Sequence, residues 1–272
     1  MKLAIVILNY NTYEMTLKMV DSLFKVVSRE TEIVVVDNKS SNESSAVLKN
    51  ASEEKNFTFI QSEVNGGYAK GNNIGITYSQ KQNAEYVLVA NNDILIDTPE
   101  VLDSLVKFMD SNPKVGAVSP RLLERDGRKS PPIYYKKPNF WDLSFGMISY
   151  RKKRFKQDDL GTYRVYAPRG SFMLLRNSSL MKIGNLDERT FLYYEEPILA
   201  ERLAKEGFEC WHYGDAVVTH LGSETIDNHI TKGKKLDSLC GSYRHYLKNY
   251  RGFSKVQVWI CEKIRRLVAS RH

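Results

Sequence analysis

The sequence is poor in cysteine. Only Cys210, Cys240 and Cys261 occur among 272 residues, an odd number with no CxxC spacing. That argues against a disulfide framework and against a zinc site, and it points to a reducing compartment. Long apolar runs are missing as well, so no stretch is long enough to span a bilayer. The opening "MKLAIVILNYN" has one lysine and a short apolar run without a small-residue cleavage site. It reads as a first strand, not a signal peptide. Phosphate-loop signatures are absent too. No GK[ST] follows the glycine-rich "NGGYAKGNN", and the G-x-G-x-x-G spacing is not met.

What is present is an ordinary globular mixture, 42% hydrophobic and 26% charged. Forty Lys and Arg against 32 Asp and Glu leave a net charge of +8, which favours anionic partners. Solid apolar runs alternate with helical spacings. "KLAIVIL", "EIVVVDN", "FTFIQS" and "AEYVLVANND" read as strands, and "TYEMTLKMVDSLFKV", "SSNESSAVLKNASEE" and "EVLDSLVKFMDSN" read as helices. Continuous rather than alternating apolar strands imply a mostly parallel sheet covered by helices on both faces. Further strands are expected at "VGAVSPRLL", "GSFMLLR" and "AVVTHLGS", and an irregular, basic, aromatic excursion over 130–166.

In such sheets ligands sit beyond the carboxyl ends of the strands. Asn9, Asp37 and Asp93 each close a predicted strand. Asp93 suits a hard divalent cation, which needs few protein oxygens when substrate phosphates supply the rest. The same carboxylate could simply cap a turn. Adjacent Glu195 and Glu196 stand after the aromatic "FLYY", where apolar surroundings would raise a carboxyl pKa and suit a general base. They could equally complement a helix dipole, with Pro197 in its first turn. His220 ends a strand before Gly222 and Ser223, a setting for a phosphate or metal contact.

"VILNYN", "IVVVDNKSS", "NGGYAKGNN", "YVLVANND", "RGSFMLLR", "LDERTFLYYEE" and "THLGS", in this order, resemble the family 2 glycosyltransferases of the GT-A fold over roughly residues 2–223. The wording is similar to the branch of rhamnosyltransferases and other enzymes that build bacterial surface polysaccharides. The resemblance implies a Rossmann-like α/β sheet over 1–225. Its nucleotide half would be about 1–97 and its acceptor half about 98–225, with a basic helical extension over 226–272. It implies an inverting, metal-dependent transfer from a nucleotide-diphosphate sugar (UDP- or dTDP-linked) to a glycan or lipid-linked acceptor, with Mn²⁺ or Mg²⁺ as cofactor. By residue, it assigns Asn9, Tyr10, Asp37, Asn65, Gly66, Gly67, Asn72, Asn92, Asp93, Arg169 and Gly170 to the nucleotide sugar. Asp93 and His220 go to the metal or diphosphate, Glu196 is the base, and Glu195 is its neighbour. Two departures stand out. The family often has Glu-Asp where this chain has Glu195-Glu196, and an Asp-Leu pair where Ile198 and Leu199 stand, while Arg202 keeps its place. Asn91 and Asn92 leave fewer carboxylates near the cation, so metal affinity should be modest without nucleotide.

The tail "FSKVQVWICEKIRRLVASRH" suggests a helix with Val256, Ile260, Ile264 and Leu267 on one face among Lys255, Lys263, Arg265, Arg266 and Arg271. A peripheral membrane contact and packing on the domain or on a second subunit are both open readings. The expected location is cytoplasmic, extending to the inner face of the membrane. A nucleotidyltransferase and a basic nucleic-acid-binding module are the alternatives. Nucleic acid is not expected, because carboxylates at the active face repel phosphate backbones.

Overall fold

The computed structural model describes residues 1–28, 30–96, 98–130, 132–149, 161–222 and 231–269. The charged run 151–156, Ser223 and Arg271 therefore lie outside the described residues.

Four parallel strands form the first half: β1 (Leu3–Asn9), β2 (Thr31–Asp37), β3 (Thr58–Gln61) and β4 (Tyr86–Asn91). They are joined by α1 (Tyr13–Leu23), α2 (Ser44–Lys55) and α3 (Gly67–Lys81). The order in the sheet is β3-β2-β1-β4. The short β5 (Ile94–Leu95) and α4 (Glu100–Ser111) lead to β6 (Val115–Glu124) and β7 (Lys129–Ser130). After the short α5 (Gly146–Ser149) and β8 (Tyr163–Val165), β9 (Phe172–Arg176) inserts between β4 and β6, antiparallel to both. α6 (Asn177–Ile183) and α7 (Glu195–Lys205) follow. β10 (Glu209–His220) then runs parallel to β6 and pairs β5 and β8 antiparallel. α8 (Lys232–Asn249) and α9 (Lys255–Ala269) complete the described chain. The mostly parallel α/β sheet and the helical extension agree with what the sequence implies.

Alternate residues of the buried strands face opposite helical layers. Ile5, Ile7, Ile33, Val35 and Leu88 pack with Met19, Leu23, Leu48 and Leu105 from α1, α2 and α4. Val6, Val34, Val36, Val87 and Val89 pack with Ile76, Leu180, Leu199 and Leu203 from α3, α6 and α7. Both sides of the strands are dry, which is why they read as continuous apolar runs. Gly71 and Gly75, one turn apart, let α3 lie directly on β1. A Cβ at Gly75 would stand 2.4 Å from Val6 Cγ1, and one at Gly71 2.5 Å from Leu8 Cδ1.

The extension packs on the domain through its own core. Tyr243, Tyr246, Leu247, Val258 and Cys261 surround Leu143, Tyr194 and Ile198. Tyr194 stacks on both Tyr243 and Tyr246, with centroids 5.0 and 5.5 Å apart. Ser242 donates to the Leu192 carbonyl (2.8 Å), and Asp187 accepts from His245 (2.8 Å) and Tyr250 (2.5 Å). The inward face of α9 is Val258, Cys261 and Ile264, while Val256 and Leu267 are exposed. Helical spacing in the sequence groups Val256 and Leu267 with Ile264, and the structure corrects this. The helix packs on α8 and on the short α5 at once, and the buried stripe follows that groove.

Candidate active site

Three strand ends and one strand start lie side by side at one edge of the sheet. β1 ends at Asn9, β2 at Asp37 and β4 at Asn91. Because β9 is antiparallel, Gly170 and Ser171 at its start lie beside the end of β4, and the Asn91 amide donates to the Ser171 carbonyl (2.8 Å).

The ends of β1 and β2 form a pre-formed polar network. Asn9 is fully buried and donates to Asp37 Oδ1 (2.8 Å) and to Ser40 Oγ (3.2 Å). Asp37 also accepts from the Ser40 hydroxyl (2.5 Å) and the Ser40 amide (3.1 Å). Thr16 donates to Asn9 Oδ1 (2.8 Å), and Asn92 donates to Thr12 and Thr16 (2.8 and 2.9 Å). Asn9, Asp37 and Asn92 are thus brought together with their side chains engaged on one another and on Ser40 and Thr16, while Tyr10 follows directly on β1. In the glycine-rich loop, Asn38 donates to Asn65 (3.0 Å) and to the Gly67 carbonyl (3.2 Å), and it accepts from Gly66 (3.3 Å). Gly67 has φ +82°, and a Cβ there would sit 2.1 Å from the Phe191 carbonyl oxygen, so only glycine allows this approach. Asn72 donates to the Tyr68 carbonyl (3.0 Å), and its Oδ1 is buried without a partner.

The chemical half is built of carboxylates and one imidazole. His220, at the end of β10, meets Asp93 through Nε2 (3.0 Å) and Glu124 through Nδ1 (2.9 Å). Two carboxylate acceptors require both ring nitrogens to donate. The hydrogen bond to Asp93 is the main cause that pushes the imidazole pKa up to about 9, against partial burial. Asp93 is buried, and its Oδ1 has no partner.

Glu195 and Glu196 open α7, positioned by two consecutive tyrosines in left-handed backbone (Tyr193 φ 74°, Tyr194 φ 68°). Bulky residues adopt that region at a cost of ~1–3 kcal/mol each, a strain that clusters at functional sites. Glu196 Oε1 accepts from the Gly170 amide (3.2 Å), whose carbonyl accepts from the Tyr68 hydroxyl (2.7 Å). Burial pushes both carboxyls up, and the charge of Glu196 adds to the rise at Glu195. Glu195 is the more deeply buried and has an unpartnered Oε1.

A cavity of about 320 Å³ joins these groups. It is lined by Glu124, Arg169, Glu195, Glu196, His220 and Arg265, among others. Of the site residues expected from sequence, Arg169, Gly170, Glu195, Glu196 and His220 border it, and Asp93 lies one hydrogen bond behind His220. Three contributors are not picked out by sequence reasoning. Glu124 ends β6 and is open to the same strand-end rule that selects Asp93. Tyr68 sits inside the glycine-rich motif, where its neighbours draw the attention. Arg265 lies some 70 residues beyond Glu196 and carries no local signal.

Among the described residues no cluster of three or more His, Cys, Asp or Glu could by itself hold a metal ion. One cation ligand nevertheless fits. Asp93 Oδ1 is a buried, unpartnered carboxylate oxygen, and Mg²⁺ or Mn²⁺ commonly takes one carboxylate plus substrate phosphates. His220 Nε2 is engaged on the other oxygen of that carboxylate.

Residues 4–184 match the family model for glycosyl transferase family 2. A low-salt glycan biosynthesis hexosyltransferase of Haloferax volcanii is 32% identical over 208 residues, 75% of this chain and 62% of that protein. An N-acetylglucosaminyl-diphospho-decaprenol L-rhamnosyltransferase of Mycobacterium tuberculosis is 28% identical over half of this chain and 47% of its own length. The chain thus spans less than two thirds of both relatives. A mannosyltransferase from Pyrobaculum calidifontis, solved with GDP-Man and Mn²⁺, superposes with a TM-score of 0.64 at 15% identity, covering 99% of this chain and 73% of that one. GalNAc-T7, solved with UDP, GalNAc and Mn²⁺, gives 0.67 at 14% identity, over 92% of this chain and 49% of that one. These likenesses give the GT-A fold. With the family model matched over most of its sheet, the chain belongs to glycosyl transferase family 2.

Proposed function

We propose that the chain is an inverting, metal-dependent glycosyltransferase. It would move a sugar from a UDP- or dTDP-linked donor to a hydroxyl of a glycan or lipid-linked saccharide in surface polysaccharide synthesis. The observation that carries this reading is the shared cavity, lined at once by Glu195, Glu196, Glu124 and His220, with Asp93 on the far side of the imidazole. The names of the relatives support a hexose or deoxyhexose transfer, and the nucleotides and Mn²⁺ held by the solved neighbours support the donor class and the cation.

The acceptor oxygen attacks the anomeric carbon while the bond from that carbon to the diphosphate oxygen breaks, and the nucleoside diphosphate leaves. Glu196 takes the acceptor proton, and the Gly170 amide holds the receiving carboxylate in place. Glu195, pushed up by burial and by the neighbouring charge, keeps a proton more readily and leaves the negative charge to Glu196. A single displacement inverts the anomeric centre and needs no covalent intermediate. Mn²⁺ or Mg²⁺ bound through Asp93 would neutralise charge developing on the diphosphate. His220, charged by its two carboxylates, adds a cation at the same face of the cavity. Asn9, Asp37 and the Asn65–Gly67 loop would receive the nucleoside, their side chains already held in place.

A nucleic-acid module is disfavoured because the cavity is lined by Glu124, Glu195 and Glu196, carboxylates that repel a phosphate backbone. The test is release of nucleoside diphosphate from a sugar-nucleotide panel with an acceptor pool. Glu196→Gln should lower turnover by ~10²–10⁴ with donor binding retained. Near-normal turnover of that variant would move the base role to Glu195.

A further inference from the structure

The basic charge is not spread over the chain. Residues 231–272 hold eleven of the 40 Lys and Arg but only two of the 32 Asp and Glu, so this segment carries +9 and the preceding 230 residues −1. The last described helix carries Lys255, Lys263, Arg265 and Arg266 against Glu262, a net +3, together with exposed apolar surface. Its outward face, at helical spacing, is Val256, Trp259, Lys263, Arg266 and Leu267, with Val256 67% and Trp259 60% exposed. Lys263 Nζ lies 6.0 Å from the Trp259 ring centroid. Residues 140–147 run alongside. Phe140 packs on Phe253 with centroids 5.9 Å apart, Arg265 Nη1 reaches Met147 Sδ at 3.6 Å, and Trp141 and Phe145, 5.4 Å apart, are both exposed.

Single exposed apolar residues are ordinary, but two tryptophans, a phenylalanine, a valine and a leucine set among lysines and arginines are not. Among the described residues no helix is long and apolar enough to cross a membrane. Tryptophan and snorkelling lysine suit the headgroup level of a bilayer instead. We propose that the outer face of α9, with Trp141 and Phe145 beside it, docks on the surface of an anionic lipid bilayer. Charge complementarity selects this occupant over a second copy of the chain. A two-fold contact would bring the Lys255 and Lys263 of one copy against the same basic face of the other, which offers only Asp237, 3.5 Å from Arg266, as a counter-charge. The one acidic residue of the helix, Glu262, is already held by Arg244 (2.6 and 2.9 Å).

The placement has a consequence for the cavity. Arg265 on α9 and Leu239 on α8 line the same space as Glu195 and Glu196. A bilayer under the outer face of α9 would therefore lie one helix away from the catalytic glutamates.

The test is flotation of the full chain with vesicles of phosphatidylcholine alone or mixed with phosphatidylglycerol, at low and high salt. Binding should require the anionic lipid and weaken with salt. Trp259→Ala combined with Lys263→Glu should reduce partition by about ten-fold or more at an unchanged melting temperature, since both side chains are exposed. Trp141→Ala is the second, independent variant and should weaken binding without touching α9. Equal binding to neutral vesicles, or none to either, would overturn the proposal. So would sedimentation showing that Trp259 and Lys263 hold a dimer together, or preferential retention of a polynucleotide. None of these readouts uses turnover, so the transfer reaction stands or falls separately.

Discussion

Replacing Gly170 with alanine would plant a methyl carbon 2.5 Å from Glu196 Oε1 and 2.9 Å from its Cδ. Real Cβ contacts stay beyond about 3 Å, so the carboxylate must retreat and give up its bond to the Gly170 amide. The perturbation is confined to that side chain. Gly170 is not among the residues with positive φ, and the three atoms nearest the new methyl all belong to Glu196. Misplacing a catalytic group by about 1 Å costs on the order of 10²-fold, and losing a base ~10²–10⁴-fold. Gly170→Ala is therefore expected to lower kcat by ~10²-fold or more, with donor affinity and melting temperature close to wild type. Steady-state release of nucleoside diphosphate, calorimetric donor binding and a thermal melt read the three quantities. Wild-type turnover would refute the assignment, because a base cannot be pushed aside without consequence. A large fall in melting temperature would refute the local nature of the change.

Removing the Tyr68 hydroxyl by Tyr68→Phe takes away a bond of about 1 kcal/mol to the Gly170 carbonyl, so kcat should fall roughly five-fold with KM for donor unchanged. Burial and the charge of Glu196 push the Glu195 carboxyl up to about 8, so folding is favoured while this group stays protonated. The penalty for its charge is absent below the unfolded value of about 4.3, grows as pH rises, and is complete once pH has passed the raised folded value. Glu195→Gln should accordingly melt higher than wild type in alkaline buffer, by at least ~2–4 °C, the equivalent of about 1 kcal/mol, and show no gain near pH 4; a gain at acid pH alone would contradict the burial argument. Gly75→Ala sets a Cβ 2.4 Å from Val6 Cγ1 and should destabilise by about 1–3 kcal/mol in a denaturant melt while leaving kcat intact.

The parallel half of the sheet was legible because β1, β2 and β4 are buried on both faces and show it in unbroken apolar runs. The antiparallel insertion of β9 was not. "FMLLR" looks the same in either direction, and only its pairing with β4 and β6 fixes the sense. The start of β10 at Glu209 was hidden because "ECWHYGD" alternates buried and partly exposed residues instead of running apolar. Strand ends point to Asn9, Asp37, Asp93 and His220 as candidates, and the aromatic-acid junction points to Glu195 and Glu196. Glu124 obeys the same rule, but it opens "ERDGRK", whose polar residues fit a surface turn equally well. Arg265 reaches the cavity only because Tyr194 stacks on Tyr243 and Tyr246 and draws the extension over the site, a long-range packing event with no trace in local sequence.

The most direct measurement is thermal stabilisation by UDP, dTDP, GDP, ADP and CDP, each with and without Mn²⁺, on wild type and on Asp93→Ala. A nucleotide present at ~100 times its Kd adds about 2.7 kcal/mol, a shift of roughly 5–10 °C for a chain of this size. One nucleotide, UDP or dTDP, should shift the wild-type melt in the presence of Mn²⁺, and Asp93→Ala should abolish the metal-dependent part. No shift with any nucleotide, or a shift that ignores both Mn²⁺ and Asp93, would contradict a metal-diphosphate site at the end of β4.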